Sequence, residues 1–216
     1  MTERSQAVTI TREFLARPAI EVAPDLLGAV ITHGSVAVRL TEVEAYAGEQ
    51  DPGSHAFRGP TDRNRVMFGP AGHLYAYFTY GMHTCANVVC GTEGESQAVL
   101  LRAGEVVRGT DLARQRRTSQ RTAAVPVDRD LARGPARLVK ALGLSLDDDG
   151  ADLLGGGDLH LSARAEAVAE GAVRTGPRVG VRGPGGDGVT FPWRFWLDGE
   201  PSVSVYRPAG PLRRWS

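Results

Sequence analysis

Apolar and polar positions alternate along several short stretches of the 216-residue chain. Val36, Val38 and Leu40 are interleaved with Ala37, Arg39 and Thr41, the period of two expected of a strand with one buried face. Residues 29–32 and 36–45 therefore predict a strand pair, joined at His33-Gly34-Ser35, a turn signal. Leu74, Ala76 and Phe78 alternate with Tyr75, Tyr77 and Thr79. That pattern predicts a strand over 73–79 with aromatic rings on one face, ended by a turn at Tyr80-Gly81-Met82-His83. Further strands are expected at 86–90, 98–103, 160–163, 179–181, 193–197 and 203–205, with a hinge at 91–95. Helical patterns cover 11–16, 23–27, 109–121 and 133–143. Pro24 is read as opening the second of these, with Asp25 in its first turn. In the last, Pro135 stands at the first turn and Gly143 suits the C-terminal cap.

The stretches 48–72, 147–157 and 183–187 read as loops, and residues 1–8 as a flexible end. A loop as long as 48–72 inside a compact domain is usually functional or disordered. No internal repeat and no linker divides the chain. The expectation is an α+β fold: a single domain spanning residues 1–216, with a curled, open-barrel-like antiparallel sheet as core and helices at the periphery.

The composition, 42% hydrophobic and 23% charged residues, is that of a globular protein rather than a disordered chain. No segment approaches the about 20 apolar residues of a membrane span, and the N-terminus lacks an apolar leader, so no membrane partner and a cytoplasmic location are expected. The 25 basic and 25 acidic residues cancel, and net charge does not announce a nucleic-acid partner. Their distribution says more, because residues 102–140 hold ten Arg/Lys against four Asp/Glu. One face could meet a polyanion, although a solvated helical face explains the pattern equally well. The N-terminal amides of helix 133–143, beside Arg133 and Arg137, could hold a phosphate. Lys140 is the only lysine, which restricts Schiff-base chemistry. Cys85 and Cys90, the only cysteines, are too few for a disulfide framework or a four-cysteine zinc site and read as buried thiols.

Candidate chemistry gathers in residues 41–87, which hold four of the five tyrosines and three of the five histidines. Glu44, near a strand end, is a candidate general base toward water if burial and neighbours tune it. A solvent-facing strand glutamate is the plainer reading of that residue alone. Tyr46 shares its strand face, and His55 and Tyr77 would complete a slot for a flat ligand. A metal site from Asp51, His55, His73 and His83 matches no familiar ligand spacing. The glycine-rich loop 183–187 lacks the GKS/T ending of a phosphate-cradling loop.

The segment TEVEAYAGEQDPGSHAFRGPTDRNRVMFGPAGHLYAYFTYGMHTCANVV, with AVLLRAGEV, RGPARLVKALGL, RVGV and PWRFWLDGEPSVSV after it, resembles the alkyladenine (3-methyladenine) DNA glycosylase family. A weaker likeness covers FLARPAIEVAPDLLGAVI. The resemblance implies that Glu44 deprotonates the attacking water and that Arg102 helps to hold it. It implies that Tyr46, His55 and Tyr77 sandwich a base flipped out of the duplex, and that Tyr80 wedges into the gap. Asn87 would crowd the position where guanine carries its amino group, and the backbone of 178–181 would form a further wall. Arg58, Arg63, Arg65, Arg133 and Arg137 are candidates for contacts to the DNA backbone, each adding to the salt dependence of binding. The implied partner is double-stranded DNA containing a damaged purine, bound by a monomer. The family implies neither metal nor organic cofactor. With Lys140 far along the sequence from the pocket motif and no proline after Met1, hydrolysis without strand cleavage is expected.

The physics of such a reaction agrees with these residue types. A glycosidic bond inside a duplex is out of reach until the nucleotide rotates out, at a few kcal/mol. Stacking on rings returns about 1–3 kcal/mol per base, and a wedge keeps the gap open. A nucleoside hydrolase would use the same carboxylate and rings but not the wedge, and a non-catalytic binding module would not need Glu44.

Overall fold

The alternating stretches become one antiparallel sheet in the computed structural model of the chain, which describes residues 9–79, 82–118 and 124–210. The expected flexible end at 1–8, the expected wedge Tyr80 and the last residues of the expected helix 109–121 lie outside those described. The strands are β1 (Val30–His33), β2 (Val36–Tyr46), β3 (Leu74–Thr79), β4 (His83–Cys90), β5 (Gln97–Arg108), β6 (Ala132–Arg133), β7 (Leu159–Ser162), β8 (Val173–Gly176) and β9 (Arg194–Leu197). They pair in the order β3-β4-β5-β2-β1-β7, with β6 added to β5, β9 to β2 and β8 to β9. Among the described residues β3 and β7 do not meet, so the sheet stays open. The helices are α1 (Arg12–Leu15), α2 (Ala19–Asp25), α3 (Thr110–Arg117) and α4 (Pro135–Leu142). This is the expected α+β arrangement. No described helix is long and apolar enough to cross a membrane.

Helix α4 forms where its caps and apolar stripe coincide. Pro135 occupies the first turn, Leu138, Val139, Ala141 and Leu142 are buried, and Gly143 closes the helix at φ 74°. The Arg116 guanidinium donates to the Ala141 and Leu142 carbonyls at 3.1 and 2.6 Å. It thereby satisfies acceptors that a helix end leaves open.

Four local expectations need correction. Helix α2 begins at Ala19 behind Pro18, and Pro24 sits inside it, near its end, rather than opening it. The buried stripe Ala19, Val22, Ala23 carries the helix back past the proline. Strand β4 starts at His83, three residues early, because Thr79 and His83 are already paired across the hairpin. Residues 179–181 form a turn, not a strand: Gly180 takes φ 76°, and the Val179 amide bonds a side chain, Glu44, instead of a neighbouring strand. Residues 203–205 are not a strand either, because the Ser204 amide donates to Glu42. Inside the long loop 48–72, Asn64 bonds the His55 and Gly59 carbonyls and the Thr61 amide, so the loop is held by its own polar side chains.

The decisive feature is a register shift between β2 and β5 around residues 40–43. Val36, Val38 and Leu40 enter the core before it, and Val43 and Ala45 after it. An uninterrupted strand would have kept Glu42, Glu44 and Tyr46 on the core face, because side chains alternate. Thr41 on β2 and Arg102 on β5 are each passed over in the pairing, so Leu40↔Gly104 and Val43↔Leu101 keep one register while the later side chains turn to the opposite face. There Glu44 heads a row that crosses four strands, paired with Leu100, which pairs with Asn87, which pairs with Tyr75. One face of the sheet is thus core, with Val43, Val99, Val88 and Leu74. The other floors a cavity.

Candidate active site

The cavity has a volume of about 490 Å³, within the range of small-molecule sites. Its floor is the non-core face of β2, β5, β4 and β3, from which Glu44, Tyr46, Leu100, Arg102, Cys85, Asn87, Tyr75 and Tyr77 project. One wall is the loop carrying Ser54 and His55, another the turn 179–182, and the start of α4 closes a third side. All six residues expected to carry the chemistry and hold the base (Glu44, Arg102, Tyr46, His55, Tyr77, Asn87) line this one space.

Glu44 is fully buried. Its Oε1 accepts the Val179 amide at 2.7 Å and its Oε2 the Tyr46 hydroxyl at 3.0 Å. Each oxygen keeps a further lone pair. Burial raises its pKa above the ordinary 4.5, against the lowering effects of Arg102, the Val179 amide and Tyr46. A carboxylate so placed is a stronger base than one in water, as a general base requires.

Beside it lies a second buried carboxylate. Glu42 accepts Arg102 Nε at 2.7 Å, Arg194 Nε at 2.6 Å and the Ser204 hydroxyl at 2.9 Å on Oε1, and the Ser204 amide at 2.7 Å on Oε2. Arg102 Nε is 3.5 Å from Glu44 Oε1, so its direct hydrogen bond goes to Glu42.

The rings form adjoining walls. His55 and Tyr77 meet edge to face, centroids 4.4 Å apart at 79°, and Tyr77 stacks on Tyr75 at 5.4 Å. The His55–Tyr77 spacing leaves no room for a base between these two, since each stacked layer alone takes about 3.5 Å. A flat ligand would lie along this pair. The Tyr75 hydroxyl is 3.3 Å from His55 Nδ1, and its carbonyl accepts the Asn87 amide at 3.0 Å, which orients Asn87. Desolvation, then Arg63, draws the His55 pKa below its usual value, favouring the neutral ring. Burial pushes the Tyr75 hydroxyl up to about 12 and raises Tyr46 and Tyr77 as well.

Behind Tyr46 stands Arg178, itself only 1% exposed. Its guanidinium carbon is 4.5 Å from the Tyr46 ring centroid. It donates to both carboxylate oxygens of Asp51 at 2.6 and 2.7 Å, and to the Ala45 and Gly185 carbonyls. Asp51 also accepts the Ala47 and Gly53 amides. This bidentate pair ties the end of β2 to the two wall-forming loops. It supports the back of one ring and anchors the residue before Val179.

Residues 13–201 match the protein family described as methylpurine-DNA glycosylase. The chain belongs to the methylpurine-DNA glycosylase family. A curated protein of Leifsonia xyli subsp. xyli named "Putative 3-methyladenine DNA glycosylase" is 58% identical over 203 residues, covering 91% of this chain and 92% of its own length. One of the same name from Streptomyces avermitilis is 54% identical over 211 residues, 95% of each chain. One from Burkholderia lata is 42% identical over 212 residues, 98% of this chain and 96% of its own.

In this member of the family the expected backbone-contact arginines fall into two groups. Arg58, Arg63, Arg65 and Arg137 are exposed, and Arg63 leans on the Phe78 carbonyl at the cavity rim. Arg133 is engaged internally, with the Val203 carbonyl at 2.8 Å and Asp130 at 3.3 Å. Asp51, His55, His73 and His83 are not gathered: among the described residues no group of three or more His, Cys, Asp or Glu could hold a metal ion. The sequence did not reveal Glu42 and Arg194, nor the roles of Asp51, read only as a possible metal ligand, and of the Arg178 side chain. A signal was present in TEVEAY and WRFW, where charges interrupt apolar strand residues. Buried there, they must be paired.

Proposed function

We propose that this enzyme hydrolyses the N-glycosidic bond of damaged purines flipped out of duplex DNA, with 3-methyladenine, 7-methylguanine, hypoxanthine and ethenoadenine as the candidate class. The observation that carries the reading is a fully buried Glu44 on the floor of a ring-walled cavity, hydrogen-bonded yet with lone pairs to spare. The extruded base lies along the His55–Tyr77 wall with Tyr46 closing the slot, which favours cationic alkylated purines through their charge. Asn87 sits where it crowds a guanine amino group. Tyr80 fills the gap in the duplex. The described residues on either side of it in the chain are Thr79, which lines the cavity, and Met82, which is 69% exposed.

Glu44 takes a proton from water as the hydroxyl oxygen bonds to the sugar C1′. The C1′–N bond breaks through an oxocarbenium-like state, and its electrons leave with the purine. The carboxylate also stabilises the positive charge on the sugar. Arg102, held by Glu42, orients the water. The products are the free base and an abasic site. Strand cleavage would need an amine to form a Schiff base, and Lys140 is exposed on α4, outside the cavity lining. A monomer suffices for one lesion.

The test is base release from a panel of lesion duplexes and from free inosine. Release of hypoxanthine from an inosine-containing duplex, but not from the nucleoside, is expected, with no borohydride-trapped adduct. Equal release from free inosine would make the chain a nucleoside hydrolase instead. The rate should also lose activity on acidification. Glu44 must be ionised to accept the proton, and burial raises its pKa. The acid limb of the single-turnover profile should therefore lie above the ordinary 4.5. A rate still undiminished at pH 4.5 would remove Glu44 as the base.

A further inference from the structure

We infer that Glu42 is a positioning residue that holds the Arg102 guanidinium beside Glu44 while taking its direct hydrogen bond, so that Glu44 keeps a lone pair for water. The inference rests on the proposed hydrolysis and deepens it. Glu42 is fully buried but does not line the cavity, so it touches neither base nor water. Its Oε1 collects three donors, and its Oε2 the Ser204 amide. A buried carboxylate with this many partners is fixed in place. Arg102 Nε is 2.7 Å from Glu42 and 3.5 Å from Glu44. That difference decides which carboxylate the arginine neutralises directly.

The charges in the cluster balance: Glu42 and Glu44 from β2 face Arg102 from β5 and Arg194 from β9. The other groups that act on Glu44 are Tyr46 on its own strand, the Val179 amide, Tyr77 on β3, Cys85 on β4 and the more distant Arg178. None of these can replace Glu42 as a partner of Arg102 Nε. Without the Glu42 charge, the nearest carboxylate for Arg102 is Glu44. A direct hydrogen bond there would occupy a Glu44 lone pair and lower its proton affinity further, both of which weaken it as a base.

Glu42→Gln removes the carboxylate that pairs with both arginines, leaves Arg194 without a carboxylate and lowers stability. The informative variant is therefore Glu42→Gln with Arg194→Met, in which one carboxylate again faces one guanidinium. Three quantities are measured on the full chain: thermal midpoint, lesion-duplex affinity and single-turnover base release against pH. The Glu44 carboxyl is also titrated by carbon NMR, assigned with Glu44→Gln. The folded double variant should bind the duplex like wild type and release base about 10- to 100-fold more slowly, the scale of a small misplacement of a catalytic group. The Glu44 titration and the acid limb should both move to lower pH. Glu42→Asp, which keeps the charge, should restore the pH profile in part. A folded variant with wild-type rate and unmoved Glu44 titration overturns the inference. So does failure of both Glu42→Gln variants to fold, because Glu42 would then serve the fold alone. The NMR titration needs no substrate. If wild type released no base from any duplex, the hydrolytic reading would fail, while the Glu44 shift would still decide what Glu42 does.

Discussion

Replacing Glu44 by glutamine should reduce base release by about 10² to 10⁴-fold, the usual contribution of a general base, while leaving lesion-duplex binding nearly intact. Glutamine has the same size, and its carbonyl can still accept the Val179 amide. It cannot take a proton. Arg102 keeps Glu42 as its 2.7 Å partner, so no buried cation is left unpaired. The stability effect has a definite sign. Burial raises the folded-state pKa of Glu44 above its ordinary value, so the native state holds the proton more tightly than the unfolded chain. Ionised Glu44 therefore costs stability, progressively, as pH rises from about the unfolded value through the folded one. The neutral glutamine avoids that cost. Thermal midpoints of the variant and wild type should draw apart in favour of the variant between acidic and neutral pH. A Glu44→Gln protein that releases base at the wild-type rate would end the catalytic assignment.

Asp51→Ala should cost about 3–5 kcal/mol of folding stability, because it leaves the Arg178 charge buried and unpaired. For a chain of this size that is a fall in thermal midpoint of roughly 6–20 °C. Asp51 also accepts the Ala47 and Gly53 amides, which alanine would leave without these partners in a part-buried site. The functional loss should be larger than the stability loss explains. Arg178 backs the Tyr46 ring and fixes the turn whose Val179 amide holds Glu44. Affinity for lesion duplex and the release rate should thus both fall at a temperature where the variant is still folded. Thermal melting and duplex titration at that temperature check this. A midpoint within about 2 °C of wild type, with unchanged affinity, would mean that the pair neither supports the fold nor shapes the pocket.

The strands from Leu74 to Thr79 and around Val36 were readable because a period of two needs only neighbours along the chain. Helix α4 was readable because proline, an apolar stripe and glycine fall in order within eleven residues. The misread elements have another cause. Residues 179–181 and 203–205 look extended and apolar, yet their amides bond Glu44 and Glu42, partners more than a hundred residues away. The placement of Pro24 was decided by burial of Ala19, Val22 and Ala23, which tertiary packing imposes.

The sequence by itself determined which residues could carry chemistry: Glu44 with Arg102, the rings of Tyr46, His55 and Tyr77, and Asn87. It also placed them in a family, because their types and spacing recur together. Only the tertiary structure decided that they share one space. The irregularity at residues 40–43 turns Glu44 from the core face to the cavity face, because one residue passed over reverses the face of every later side chain. The tertiary structure also selected Glu42, Asp51, Arg178 and Arg194. A charged side chain in a sequence carries no mark of its burial, and becomes costly, or useful, only when a distant strand removes it from water.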